Sequence, residues 1–289
     1  MYDKIYGKKF KQLREEKRSS LETTSRSITS KSSLYYWEKG MGDMSFSKVI
    51  KMLERLHIKP EEFLANSLNA YLDISDISTA YLENNYDVLR SLAKKYLTTS
   101  RQSPTSRREL IRAAIACHHL MAATGENLFL SQDSEKLEEL LSQIDEWYYE
   151  DVYNFGNTLS LLPSNRIYGL TKLLIKKLSQ NQQKAYDQWQ HSAWNTCLNA
   201  VFTLFYRKFA KVKKLVTELD AIEMGYSFIF EKVRLKFAHE VMLYIQTGDE
   251  TRMLQVFFPF LDYLGTGQLA ADLKKSFKRI KKIYTKKVI

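Results

Sequence analysis

An all-α fold in two parts is predicted: a small helix-turn-helix unit first, then a long array of helical repeats. Three observations predict it. The 289 residues include only four prolines and ten glycines, and 44% of them are hydrophobic, which suits a folded helical chain better than a disordered or β-rich one. Apolar residues recur at three- and four-residue spacing through almost every stretch, the period of an amphipathic helix. Cap residues divide the first 64 positions into five short segments and the remainder into longer ones.

The first helix spans about 4–17, with Phe10 and Leu13 facing inward and Lys8, Lys9, Lys11 and Arg18 in water. Ser19-Ser20 offers an N-cap for a second helix reaching about position 28, with Glu22 and Thr23 in its first turn. Ser30 caps a third helix. Leu34 and Trp37 form its buried seam, and Gly40 supplies the left-handed residue after its end. Ser45 opens a fourth helix on which Phe46, Val49, Ile50, Leu53 and Leu56 share one side. Pro60, with Glu61 and Glu62 behind it, starts a fifth, where Phe63 and Leu64 close the core. A short helix with one buried seam and a hydroxyl-rich, basic outer face fits a DNA major groove.

Charge supports a polyanionic partner. The chain carries a formal net charge of +11, which favours nucleic acid or an acidic surface and is silent about fold. Cys117 and Cys197 both lie in apolar-periodic stretches and read as buried thiols, with a disulfide as the alternative. The N-terminus lacks the apolar segment of a signal peptide, and no run of about 18 apolar residues exists to span a membrane. A cytoplasmic protein is expected, without membrane insertion.

The N-terminal motifs carry a family resemblance. Gly7-Lys8-Lys9-Phe10-Lys11-Gln12-Leu13-Arg14, then Ser30-Lys31-Ser32-Ser33-Leu34, Trp37-Glu38-Lys39-Gly40 and Met44-Ser45-Phe46-Ser47-Lys48 resemble the Rgg/MutR/GadR family of transcriptional regulators. The resemblance implies a phage-repressor-like (XRE-type) helix-turn-helix in which Arg14 pairs with Glu38. Such a pair can bond bidentately and set the angle between two helices, so both residues are structural. The DNA-facing set is then Ser20, Thr23, Ser30, Lys31, Ser32, Ser33, Tyr35, Tyr36 and Lys39. Two positions depart from the family pattern: Thr24 and Ser25 replace apolar core residues of helix 2, and Tyr35 and Tyr36 stand where a polar and a basic residue are usual.

The unit covers 1–65, followed by a small-residue linker at 66–70 and a repeat domain over 71–289. Candidate helices in the repeat domain span 70–84, 86–97, 107–122, 134–148, 150–161, 165–178, 182–206, 208–219, 226–246, 251–264 and 268–284. Breaks are expected at Thr98-Thr99-Ser100, Gly125, Pro163, Gly248 and Gly265. Paired helices with short turns suggest a tetratricopeptide (TPR)-like α-solenoid of degenerate repeats. Trp147-Tyr148-Tyr149-Glu150, Phe155-Gly156-Asn157, Gly169-Leu170-Thr171-Lys172, Phe230-Glu231-Lys232 and Phe260-Leu261-Asp262-Tyr263-Leu264-Gly265 extend the resemblance. They imply a dimerising domain whose concave groove takes a short peptide pheromone.

Asn157 is the first groove candidate, because an amide can bond both N–H and C=O of an extended peptide. Ser160 stands where pheromone-binding relatives carry an arginine. Asn195 and Asn199 share one helix face, Tyr153 is a candidate wall, and Arg234 is a candidate for a carboxylate. Cys117-His118-His119 cannot converge on one ion, because consecutive helical side chains diverge by about 100°. No metal, cofactor or catalytic motif is expected. In the last helix, Leu273, Phe277, Ile280 and Tyr284 form an apolar stripe among lysines, which reads as a solenoid cap, with dimer contacts, phosphate contacts or an anionic membrane surface as the alternatives.

The expected partners are double-stranded DNA at a pseudo-palindromic operator, a short signalling peptide, a second copy of the chain and RNA polymerase. A constitutive regulator without a peptide, and an interaction scaffold with a degenerate helix-turn-helix, are the alternatives.

Overall fold

Capping and burial together build the N-terminal unit of the computed structural model, which describes residues 2–64, 74–180 and 187–284. Among its described residues five helices form: α1 (Tyr2–Glu16), α2 (Leu21–Ser25), α3 (Lys31–Glu38), α4 (Phe46–Arg55) and α5 (Pro60–Leu64). The hydroxyl of Ser20 accepts from the Thr23 amide and that of Ser30 from the Ser33 amide, both at 3.0 Å. Each bond satisfies a donor orphaned at a helix start, worth about 1 kcal/mol. Gly40 follows α3 with φ 71°, where an L side chain would be strained.

Phe10, Leu34, Trp37, Met52, Leu53 and Phe63 make the centre of the core. The Phe10 ring lies 5.2 Å from Trp37 and meets Phe63 edge-on at 6.2 Å, an arrangement favoured by the aromatic quadrupole.

Three expectations are corrected here. Helix 2 stops at Ser25 rather than near 28, because Ser27 takes φ 59°. Arg55 then donates to the carbonyls of Thr23, Thr24 and Arg26, closing the helix from α4. Phe46 is 65% exposed; it is the first residue of α4, a turn before the stripe of Val49, Met52 and Leu53 begins. Leu64 is exposed as well, so Phe63 alone closes the core from α5.

The chain divides into contact units at Met1–Leu72 and Asp73–Ile289. The proposed linker at 66–70 and the first four positions of the helix expected at 70–84 lie outside the described residues. The second unit contains α6 (Ser75–Leu82), α7 (Tyr86–Gln102), α8 (Arg107–Thr124), α9 (Ser131–Ser142), α10 (Tyr149–Gly156), α11 (Ser164–Gln180), α12 (Asp187–Tyr206), α13 (Val212–Asp220), α14 (Ile229–Thr247), α15 (Phe258–Tyr263) and α16 (Gly267–Tyr284). Helix α12 is central. It packs on α10, α11, α14 and α16 and buries Trp189, Trp194, Cys197, Val201 and Phe205, an apolar coverage wider than one stripe, as an interior helix requires. The beginning of the helix expected at 182 falls outside the described residues.

Side chains explain where the helices depart from expectation. No break occurs at Thr98-Thr99: these hydroxyls donate to the carbonyls of Lys94 and Lys95, and α7 continues to Gln102. The segment 143–148 is not helical. There α9 ends early, and the Asp151 carboxylate accepts from the Tyr148 amide to start α10. That helix ends at Gly156, after which the Thr158 hydroxyl donates back to the Asn154 carbonyl at 2.9 Å and a separate 3-10 turn forms at Leu159–Leu161. Helix α13 starts four residues late because Lys208 adopts φ 53°. The helix expected over 251–264 contains a π-helical stretch at Met253–Phe257. Pro259, just beyond it, has no N–H and crowds the carbonyl four residues back, which a wider turn relieves.

Candidate functional site

The outer face of α3 carries chemistry because its inner face is locked. Arg14 Nε donates to Glu38 Oε1 at 2.7 Å and Nη2 to Oε2 at 2.8 Å. Its Nη1 donates to the Ser19 carbonyl at 2.7 Å. Arginine and glutamate are 7% and 3% exposed, and the bonds to Glu38 raise the guanidinium pKa above its ordinary value. The pair ties α1, the turn before α2 and α3 together. Helix α2 lacks apolar side chains at Thr24 and Ser25, yet both are buried; Thr24 shares a hydroxyl bond of 2.8 Å with Ser19.

All nine candidate DNA-facing residues are exposed: Ser20, Thr23, Ser30, Lys31, Ser32, Ser33, Tyr35, Tyr36 and Lys39. Tyr35 and Tyr36 are 45% and 52% exposed and meet edge to face at 5.5 Å. They are therefore not core residues of this unit. Lys39 lies 5.8 Å from the Tyr35 ring centre, a cation–π distance. The α2 and α3 starts are built alike, with paired hydroxyls Ser20–Thr23 at 2.9 Å and Ser30–Ser33 at 2.8 Å. Both cap serines thus have a structural duty; backbone N–H donors at a helix start, together with the helix dipole, favour a phosphate oxygen there.

The repeat-domain candidates fall into two groups. Asn157 caps α10, its Nδ2 donating to the Tyr153 carbonyl at 2.9 Å, and Tyr153 is half-buried one turn earlier. Ser160 follows in the 3-10 turn, its hydroxyl 2.7 Å from His118 Nδ1. Arg207, at the end of α12, donates to the carbonyls of Ser160 and Leu162. The second group joins α12 to α14. Arg234 Nη1 and Nη2 donate to Asn195 Oδ1 and Asn199 Oδ1, both at 2.6 Å. Asn195 Nδ2 in turn donates to Glu231 Oε1 at 2.9 Å. The groups adjoin where α10 meets α12. A Cβ on Gly156, next to Asn157, would lie 2.6 Å from the hydroxyl of Thr196, next to Asn195.

Sequence reasoning missed His118, Arg207 and Glu231. Only Glu231 left a local sign, as an acid three residues before Arg234. Burial pushes the His118 pKa down to about 3 and that of His119 to about 4. Both rings are neutral at neutral pH, and the Ser160 amide donates to His118 Nδ1 at 3.2 Å, so that nitrogen acts as an acceptor. A neutral buried histidine has a folded pKa below its unfolded value. Its contribution is complete above about 6.5 and is lost as pH falls from there towards 3 or 4. The urea midpoint of the chain is therefore expected to drop over that interval, and His118→Gln with His119→Gln to flatten the drop. An unchanged slope in the double variant would rule out these rings as its source.

Cys117 and Cys197 are buried free thiols, and burial raises the Cys117 pKa to about 12. Among the described residues no cluster of three metal-ligating side chains forms, and no helix is long and apolar enough to cross a membrane.

A helix-turn-helix unit followed by helical repeats is the build of a helical transcription regulator. Residues 91–275 match the family described as the C-terminal domain of the HTH-type transcriptional regulator Rgg, and the chain belongs to that family. The SHP pheromone receptor Rgg2 of Streptococcus dysgalactiae is similar at 19% identity and a TM-score of 0.69, over 95% of this chain and 99% of that one. A bacterial peptide pheromone/receptor complex is similar at 14% identity and a TM-score of 0.63, over 96% and 98%. The PrgX/cCF10 complex gives 14% and 0.65, over 96% and 92%. At such identities the likeness is one of fold.

Proposed function

We propose that this regulator binds double-stranded DNA as a homodimer through α3 and is controlled by a short peptide held by the repeat unit. The observation that carries the DNA reading is the outer face of α3, basic and hydroxyl-bearing, backed by Leu34 and Trp37 and fixed in angle by Arg14–Glu38. Two-fold symmetry of the protein would ask for a pseudo-palindromic site. The peptide reading is supported by pheromone receptors and complexes among structures of the same fold, and by the side-chain amides and tyrosine on α10 and α12. A peptide preferring one dimer arrangement a hundredfold shifts the equilibrium by about 2.7 kcal/mol.

Lysines contribute to DNA affinity through phosphate and counterion release. Lys31→Ala with Lys39→Ala is expected to weaken DNA binding in fluorescence anisotropy and to reduce the slope of log affinity against log salt by about 2. Equal affinity at physiological salt would sink the α3 assignment. Asn157→Ala should leave DNA binding intact and remove the response to peptide; an unaltered response would reject that residue.

A further inference from the structure

The outer face of α3 lacks the side chain that most often reads a base. The helix carries no arginine, so nothing on it offers the two-pronged donor that recognises guanine. Elsewhere in the unit, Arg14 is locked on Glu38, and Arg55 on the carbonyls that close α2. Arg18 and Arg26 stand on the turns after α1 and α2. In place of a guanidinium, α3 presents two aromatic rings.

Helix geometry says which ring points straight outward. Leu34, Trp37 and Glu38 define the buried side. At about 100° per residue, Ser32 and Tyr36 fall opposite its centre, four residues apart on one face. Tyr36 is 52% exposed, and the edge-to-face contact with Tyr35 at 5.5 Å holds its ring. Lys39 lies to one side, 5.8 Å from the Tyr35 ring centre. The hydroxyls of Ser30 and Ser33 are engaged with each other at 2.8 Å.

When a helix sits in the major groove, the centre of its outer face meets base edges and its flanks meet the strands. Lysine on the flank suits phosphate. A ring at the centre needs an apolar counterpart, and the base edges offer one methyl group, the C5-methyl of thymine. Burying that methyl against the ring removes apolar surface of both from water.

We propose that Tyr36, positioned by Tyr35, is a specificity-determining residue that reads thymine methyl groups, so that the half-site presents A·T pairs under α3. The inference rests on the DNA reading above and deepens it from double-stranded DNA in general to one base chemistry.

Selection from a pool of random-sequence DNA duplexes with the full-length protein, followed by thymine-to-uracil replacement in the enriched site, tests it. Uracil keeps the base pair and removes only the methyl group. Affinity is expected to fall about three- to fivefold at one or two thymines of each half-site, the size expected for one buried methyl. Tyr36→Ala should bind the thymine and uracil duplexes equally. Tyr36→Phe should keep the discrimination, because the ring and not the hydroxyl makes the contact. Tyr36→Arg, when selected afresh, should exchange that A·T pair for one bearing guanine, a gain that no loss of folding can imitate. Equal binding of thymine and uracil duplexes by the parent, or intact discrimination in Tyr36→Ala, overturns the thymine reading and leaves DNA binding standing. A change of oligomeric state in Tyr36→Ala, with no thymine preference in the parent, would assign the rings to a protein contact instead. Enrichment of no duplex overturns both readings.

Discussion

Glu38→Ala is expected to destabilise the N-terminal unit by about 3–5 kcal/mol, the usual cost of removing one partner from a buried ion pair. The size follows from what is left behind. Arg14 is nearly buried and would retain only the Ser19 carbonyl of its three strongest bonds, so a charge stays desolvated without its acid. An exposed pair would cost about 0–1 kcal/mol, which makes the two cases easy to tell apart. Native-state hydrogen exchange of the α3 amides reads the effect directly, since core helices open only near the global free energy. Protection should fall by about two to four orders of magnitude, the same free energy expressed as an opening constant. A loss under about tenfold would mean that the pair is solvated. Replacing both partners with apolar residues should recover part of the loss, because no buried charge is then stranded. DNA affinity should fall with Glu38→Ala although neither residue faces outward, since α3 loses what sets its angle.

How far these features were legible in the sequence depends on their range. The α3 frame is local: Ser30, Leu34, Trp37 and Gly40 lie within eleven residues, and caps and seams act over a turn or two. The all-α class and the interior run of α12 follow from periodicity for the same reason. Features set by distant partners were not legible from local pattern. Arg55 closes α2 from about thirty residues away, and His118 reaches Ser160 across 42. The expected break at Thr98-Thr99 failed because β-branched polar residues can bond back to the preceding turn and prolong a helix. Asn195, Asn199 and Arg234 were legible singly from residue type and spacing. Their convergence was not, because it depends on how α12 and α14 pack, and the diversion of Glu231 towards His191 is visible only in three dimensions.

Gly7→Ala tests the same frame from the side of packing rather than charge. By helix propensity alone, alanine in α1 should stabilise the chain by about 1 kcal/mol. The fold reverses that sign. A Cβ at Gly7 would sit 2.0 Å from the carbonyl oxygen of Trp37 and 2.9 Å from its carbonyl carbon, contacts with backbone that no rotamer change relieves. Helix α1 must move away from α3, loosening the Phe10–Trp37 contact and lengthening the Arg14–Glu38 bonds. Overpacking commonly costs about 1–3 kcal/mol. With rigid backbone on the far side, a net destabilisation near about 3 kcal/mol is expected, read as a lower urea midpoint for the cooperative loss of α3 protection. Gly42→Ala is the matched control, because a Cβ there meets nothing within 4 Å and the residue is not left-handed; it should change stability by less than about 1 kcal/mol. If Gly7→Ala proves as stable as the parent, α1 and α3 do not approach this closely, and the angle of α3 must be set by the Arg14–Glu38 pair without help from packing.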